Sequence, residues 1–128
     1  MERKFDLDER LIDFASNMID VSEALPSTIG GKHIAGQLVR SGTAPALHYG
    51  EAQGAESRRD FIHKIKVGLT ELRETFNCLR IIKKKGWYQK EPLVALLDEN
   101  NQLISIFVKN LLIREAVSSF QNIYMSLW

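Results

Sequence analysis

Apolar side chains recur at alternating steps of three and four residues through most of this chain. In the first segment Leu7, Leu11, Phe14, Met18, Val21 and Leu25 form such a seam. In the third, Ile62, Ile65, Leu69, Leu72, Phe76 and Leu79 repeat it, with Phe61, Gly68 and Ile82 widening the stripe. In the fourth, Leu93, Leu97, Ile104, Phe107 and Leu111 form a seam beside a second edge of Leu96, Leu103, Val108 and Leu112. This is the spacing of one helix face, and no period-two strand pattern competes with it. With 8 Gly and 3 Pro in 128 residues, a loop-rich or all-β protein is excluded.

The breaks set the boundaries. Asp6, Asp8 and Glu9 suit the positive end of a helix dipole, and Pro26 and Ser27 stop that helix. Gly86 follows Lys83, Lys84 and Lys85, the residues expected at a helix C-terminus. Pro92 is acceptable in a first helical turn. Ser57 and Asp60 read as a capping pair opening the third helix. The expected helices are 6–25, 31–55, 58–85 and 92–116. Pro45 lies inside the second, where a kink is expected, with a split into two helices as the alternative. The tail VSSFQNIYMSLW is too apolar for a free end, so it either extends the last helix or covers another subunit. Short connections place neighbouring helices antiparallel. The expectation is an all-α, up-down-up-down four-helix bundle forming a single domain over 1–128.

A net charge of +1 gives no global case for a nucleic-acid or membrane partner. One cysteine, Cys78, excludes an intrachain disulfide and a multi-cysteine zinc site. The N-terminal MERKFDLDER lacks an apolar signal region, so a cytoplasmic location is expected.

The stretch RSGTAPALHYGEAQGAESRRDF, residues 40–61, holds a proline, closely spaced glycines and an Arg-Arg step. Gly50 and Gly54 share a helix face with Ala46, which predicts a close approach of another backbone. GAESRRDF then reads as a tight corner between helices.

These residues resemble those of a bacterial four-helix-bundle family named for open reading frames in intervening sequences of large-subunit ribosomal RNA genes. That family includes the accessory protein of diversity-generating retroelements. A common form of its pattern is RSGTSIGANYEEAQGAESRxDFIHK. Arg40, Ser41, Gly42 and Thr43 match it, as do Tyr49, Glu51 to Ser57, and Asp60 to Lys64. Glu71, Arg73, Glu74 and Thr75 match a later step. The departures are His48 for Asn, Gly50 for Glu, and Ala44-Pro45-Ala46-Leu47 for Ser-Ile-Gly-Ala. The resemblance implies an antiparallel bundle and a homo-oligomer, a ring of five subunits. It implies no enzymatic activity.

His48 with Glu51, and Glu56 with His63, are the candidate metal ligands. Di-metal bundles use paired Glu-x-x-His steps, and this chain has none, so no metal or cofactor is expected. Cys78 sits beside the apolar stripe and reads as a packed thiol. No nucleophile accompanies the charged residues, so no catalytic residue is assigned. Arg40, Tyr49, Glu51, Gly54, Ser57, Asp60 and Glu74 are read as a helix-packing and oligomer network. Arg58, Arg59, Lys64, Lys83, Lys84 and Lys85 are the candidate nucleic-acid contacts, with His63, Lys66, Arg80 and Lys90 close by and Trp87 and Tyr88 placed to stack on bases. The expected function is a non-enzymatic oligomeric scaffold, with a nucleic-acid-binding accessory protein as the alternative.

Overall fold

Asp6 has an extended backbone, and its carboxylate accepts a hydrogen bond from the Glu9 amide at 3.2 Å. That cap starts α1, Leu7–Glu23, in a computed structural model that describes residues 6–127. Thr28 caps α2, Ile29–Gln53, by accepting from the Gly31 amide at 3.0 Å. Ser57 caps α3, Arg58–Lys85, by accepting from the Asp60 amide at 3.1 Å. Gly86 closes α3 at φ 66°, the left-handed conformation that a Cβ disfavours. α4, Lys90–Ser126, carries Pro92 in its first turn.

Three helices differ from expectation in their bounds; α2 also ends two residues early, at Gln53, and α4 begins two residues early, at Lys90. α1 ends two residues earlier than its apolar seam, because the chain must turn before Pro26. α2 begins at Ile29, since Thr28 supplies the cap that the glycines behind it cannot. α4 runs on to Ser126, ten residues past the expected 116, because the apolar tail continues the helix.

α2 also runs unbroken through Pro45, so the split is overturned. Proline costs one backbone hydrogen bond there, and its ring is buried among the helices that pack on α2.

α1 packs on α2, α2 on α3, α3 on α4, and α4 returns to α1. The result is an all-α four-helix bundle, with α1 and α3 diagonally opposed. Its core holds Leu11, Phe14, Met18, Leu38, Ile65, Leu72, Leu79, Ile82, Leu93, Leu103 and Phe107. Arg10 clamps α1 to α4, donating through Nε and Nη2 to the Glu99 carboxylate at 2.7 Å each. Two parallel charge-assisted bonds fix orientation as well as attraction.

Among the described residues, four polar ones lie in this core. Thr75 Oγ1 reaches Ser41 Oγ at 2.9 Å, joining α3 to α2. Asn100 Nδ2 donates to the Leu72 carbonyl at 3.1 Å, joining α4 to α3. Ser22 bonds back to the Met18 carbonyl at 2.8 Å. The sequence carried a signal for Asn100: the fourth seam jumps seven residues from Leu97 to Ile104, and Asn100 fills the missing position.

The helices have unequal lengths. α1 has 17 residues and α4 has 37, or about 25 Å against about 55 Å at 1.5 Å per residue. The end of α4 therefore projects past the α2–α3 corner.

Candidate interaction surface

The segment from Arg40 to Lys64 builds the α2–α3 seam. Arg40 extends from α2 to Glu71 at 2.9 Å and to Glu74, both on α3, with Gln37 beside it. The hydrogen bond to Glu74, then the charge of Glu71, holds the guanidinium pKa above its ordinary value. This cluster is on the surface of the chain, with Arg40 52% exposed, and its ion pairs join α2 to α3. Glu51 stands apart from it and pairs with Lys64 at 2.6 Å. The Lys64 contact pushes the Glu51 carboxyl below its usual range, and Glu51 in turn raises Lys64. Arg73 is exposed and makes no ion pair among the described residues.

The glycine reading is corrected. A Cβ on Gly54 would meet only the Glu51 carbonyl oxygen at 3.8 Å, and one on Gly50 would meet nothing within 4 Å. Gly54 is the C-cap of α2, not a close-packing contact. The close approaches are at Gly31, where a Cβ would fall 2.0 Å from the Pro26 carbonyl oxygen, at Gly42, 2.5 Å from Met18 Cγ, and at Gly68, 2.7 Å from Phe107 Cε2. Gly42 and Gly68 sit on core faces, and that placement was the available signal.

Tyr49 is half-buried, its ring 6.3 Å from that of Phe107. Burial raises the Tyr49 phenol above its usual pKa, the charge of Asp8 adds to this, and the Gln53 side chain opposes it. Tyr49, Gln53, Ser57, Arg58, Phe61 and Arg114 line an open groove between the α2–α3 corner and α4. Arg58 donates to Gln121 across it, and Arg114 lies 4.8 Å over the Phe61 ring.

Burial pushes the Cys78 thiol up, with Glu74 adding to the shift and Arg40 opposing it. That is an unreactive packed thiol. His48 Nδ1 lies 4.0 Å from Glu51 without a hydrogen bond. Among the described residues no three His, Cys, Asp or Glu side chains converge as metal ligands.

The candidate basic residues divide. Lys64 is committed to Glu51 and Arg58 to Gln121. Arg59 is exposed near the start of α3. Lys83, Lys84 and Lys85 are exposed in its last turn, with Lys85 Nζ 5.8 Å over the Trp87 ring. The two groups are roughly 36 Å apart along the helix, so they form no single patch. What links them was missed in the sequence. Arg59, Lys66, Arg73 and Arg80 recur every seven residues, all exposed, and Lys84 continues their line. Seven residues is nearly two turns, so these side chains share the outer face of α3. Lys66 also reaches Glu115 of α4 at 3.4 Å.

The outer face of α1 has the opposite sign. Glu9, Asp13, Asp20 and Glu23 are exposed there around Ile12 and Ile19, which are 46% and 37% exposed. On α3 the matching apolar element is Ile81, beside Arg80, Lys84 and Lys85. The near-zero net charge therefore conceals a molecule that is acidic on one side and basic on the diagonal one.

A model of the 23S rRNA-intervening sequence protein family matches residues 3–109. The chain belongs to that family. A solved structure with the same fold is a protein of unknown function from the S23 ribosomal protein family of Bacteroides thetaiotaomicron. It superposes with a TM-score of 0.77 at 22% identity, covering 83% of this chain and 98% of its own. No curated protein matches the sequence. Membership in the 23S rRNA-intervening sequence protein family accounts for the motif from Arg40 to Lys64, whose residues form the α2–α3 seam and its corner. The family match ends at 109, so the last part of α4 lies beyond it. No helix among the described residues is long and apolar enough to cross a membrane.

Proposed function

We propose that this protein is a non-catalytic scaffold that assembles into a homo-oligomer, a ring of five being the form that its family resemblance implies. The observation that carries this reading is the charge separation between α1 and α3. An acidic face with an apolar centre and a basic face with an apolar centre lie on opposite sides of one bundle. Two copies can join α1 to α3 and leave one of each face unused. Such head-to-tail contacts propagate from copy to copy and close into a ring when the rotation between neighbours divides a full turn. Complementary charge supplies orientation and rate, while Ile12, Ile19 and Ile81 supply apolar burial behind a polar rim.

Sedimentation of the full chain at micromolar concentration tests this. Assembly is expected at low salt and should weaken as salt screens the faces. Asp13→Lys with Asp20→Lys should reduce the assembly, and adding Arg73→Glu with Arg80→Glu should restore it. A monomer at low salt, or an assembly indifferent to these reversals, overturns the reading.

The seven-residue spacing of Arg59, Lys66, Arg73 and Arg80 favours a second reading, in which the outer face of α3 binds nucleic acid. The cations repeat about every 10.5 Å along one line, which suits a phosphate backbone. Fluorescence anisotropy with labelled RNA and DNA distinguishes it. Binding that weakens steeply with salt, and whose slope falls in Arg73→Ala with Arg80→Ala, supports this second reading. No binding at low salt removes it.

A further inference from the structure

The apolar stripe of α4 changes sides. Up to Leu111 its apolar residues, including Leu93, Leu103, Phe107 and Leu111, face the bundle core. Beyond Leu111 the apolar residues are Leu112, Ile113, Ala116, Val117, Phe120, Ile123, Tyr124 and Leu127, with Met125 set apart. At 3.6 residues per turn these eight fall within an arc of roughly 140°, centred about 180° from the core-facing side. The polar side of this projection is the one turned to its own bundle. Gln121 accepts from Arg58, Glu115 pairs with Lys66, and Arg114 covers Phe61. The apolar side points outward: Leu112 is 62% exposed, Phe120 70%, Ile123 62% and Leu127 78%.

An isolated amphipathic helix of this length is marginal in water, so this stripe needs a cover. From the helix geometry we infer that the cover is the same stripe on a second copy of this chain. Three observations select that occupant. Ile113, Val117, Phe120, Tyr124 and Leu127 step by four, three, four and three, the spacing of a helix seam that packs against another helix. Arg114 and Glu115 cancel, and no residue from 116 to 127 is charged, so two copies meet without repulsion. That absence of cations also removes the basic rim with which amphipathic helices hold an anionic membrane. Lastly, the exposed apolar side chains of the stripe offer area on the order of 800 Å², one partner's share of a standard interface. Phe120 lies at the middle of the seam, so pairing in either orientation brings the two Phe120 side chains together.

This contact goes beyond the ring reading and is separable from it. It lies past the end of the family match at 109 and uses neither α1 nor the outer face of α3. Being apolar, it survives 1 M salt on the order of a tenfold excess over the level that screens charged faces.

The test is sedimentation of the full chain in 1 M NaCl, with circular dichroism to check helix content. The wild type is expected to self-associate there. Phe120→Glu with Ile123→Glu should weaken that association at least tenfold, while Met125→Glu, on the other side of the helix, should leave it intact. Phe120→Cys should form a disulfide-linked pair under mild oxidation, since Cys78 is buried. A wild type that is monomeric in 1 M salt overturns the inference, and so does an association that the double variant leaves unchanged. Flotation with phosphatidylcholine vesicles that is lost in the double variant, with no self-association, assigns the stripe to lipid and also overturns it. Loss of all self-association on charge reversal of α1, with residues 112–127 unchanged, would leave the ring alone and also overturn the inference.

Discussion

Phe107 of α4 lies in the space left by Gly68 of α3, where a Cβ would come within 2.7 Å of its ring. Phe107 is fully buried and also meets the Tyr49 ring, so it has little room to move. Gly68→Ala should therefore destabilise the bundle by about 1–3 kcal/mol, despite the usual helical preference for alanine. Gly42→Ala should act similarly against Met18. Urea unfolding followed by circular dichroism measures both, and unchanged midpoints would contradict the contacts.

Gly54 should behave in the opposite way. It has a negative φ and open space around its Cα, so neither backbone nor packing demands glycine. Gly54→Ala should shift stability by no more than about 0.5 kcal/mol, as expected of a surface site. Thermal melts of Gly54→Ala and Gly42→Ala, run together, test the reassignment of the close contact.

The Ser41–Thr75 hydrogen bond joins two helices inside an apolar core. Thr75→Val keeps the shape but removes the hydroxyl, leaving Ser41 without that partner. A loss of about 1–2 kcal/mol is expected, the cost of one buried polar group losing its bond. A double-mutant cycle with Ser41→Ala should recover part of it, because removing both hydroxyls leaves neither unsatisfied. Strict additivity in urea unfolding would show that the two groups are not coupled.

The Glu51–Lys64 pair defines a pH window. The Glu51 pKa is lowered in the fold, so its contribution is present above its ordinary value of 4.5 and is lost as pH falls through the folded value. The Lys64 pKa is raised, so its contribution is complete below 10.5 and is lost as pH rises through the folded value. Glu51 is exposed and Lys64 half-buried at the surface, and the effect should be small and screened by salt. Glu51→Gln should flatten the acid limb of the melting temperature against pH at low salt. An acid limb identical to wild type would remove the pair from the stability of the bundle.

Periodicity determined the first, third and fourth helices, because every helix must turn an apolar face inward and a 3.6-residue repeat writes that face into the sequence. Local chemistry fixed the Ser57 cap, the Gly86 stop and all of α3, since these depend on neighbours in the chain. The tertiary structure decided what depends on distant residues. It placed the close helix-to-helix contacts at Gly42 and Gly68, because there the side chains of Met18 and Phe107 lie opposite. It carried α2 through Pro45, since burial between neighbours outweighs one missing hydrogen bond. It paired Glu51 with Lys64 and left Arg40 with Glu71 and Glu74, a choice set by helix rotation. It also turned the two halves of α4 to opposite sides of the molecule, because only the position of the bundle shows which apolar stripe is already covered and which still faces outward.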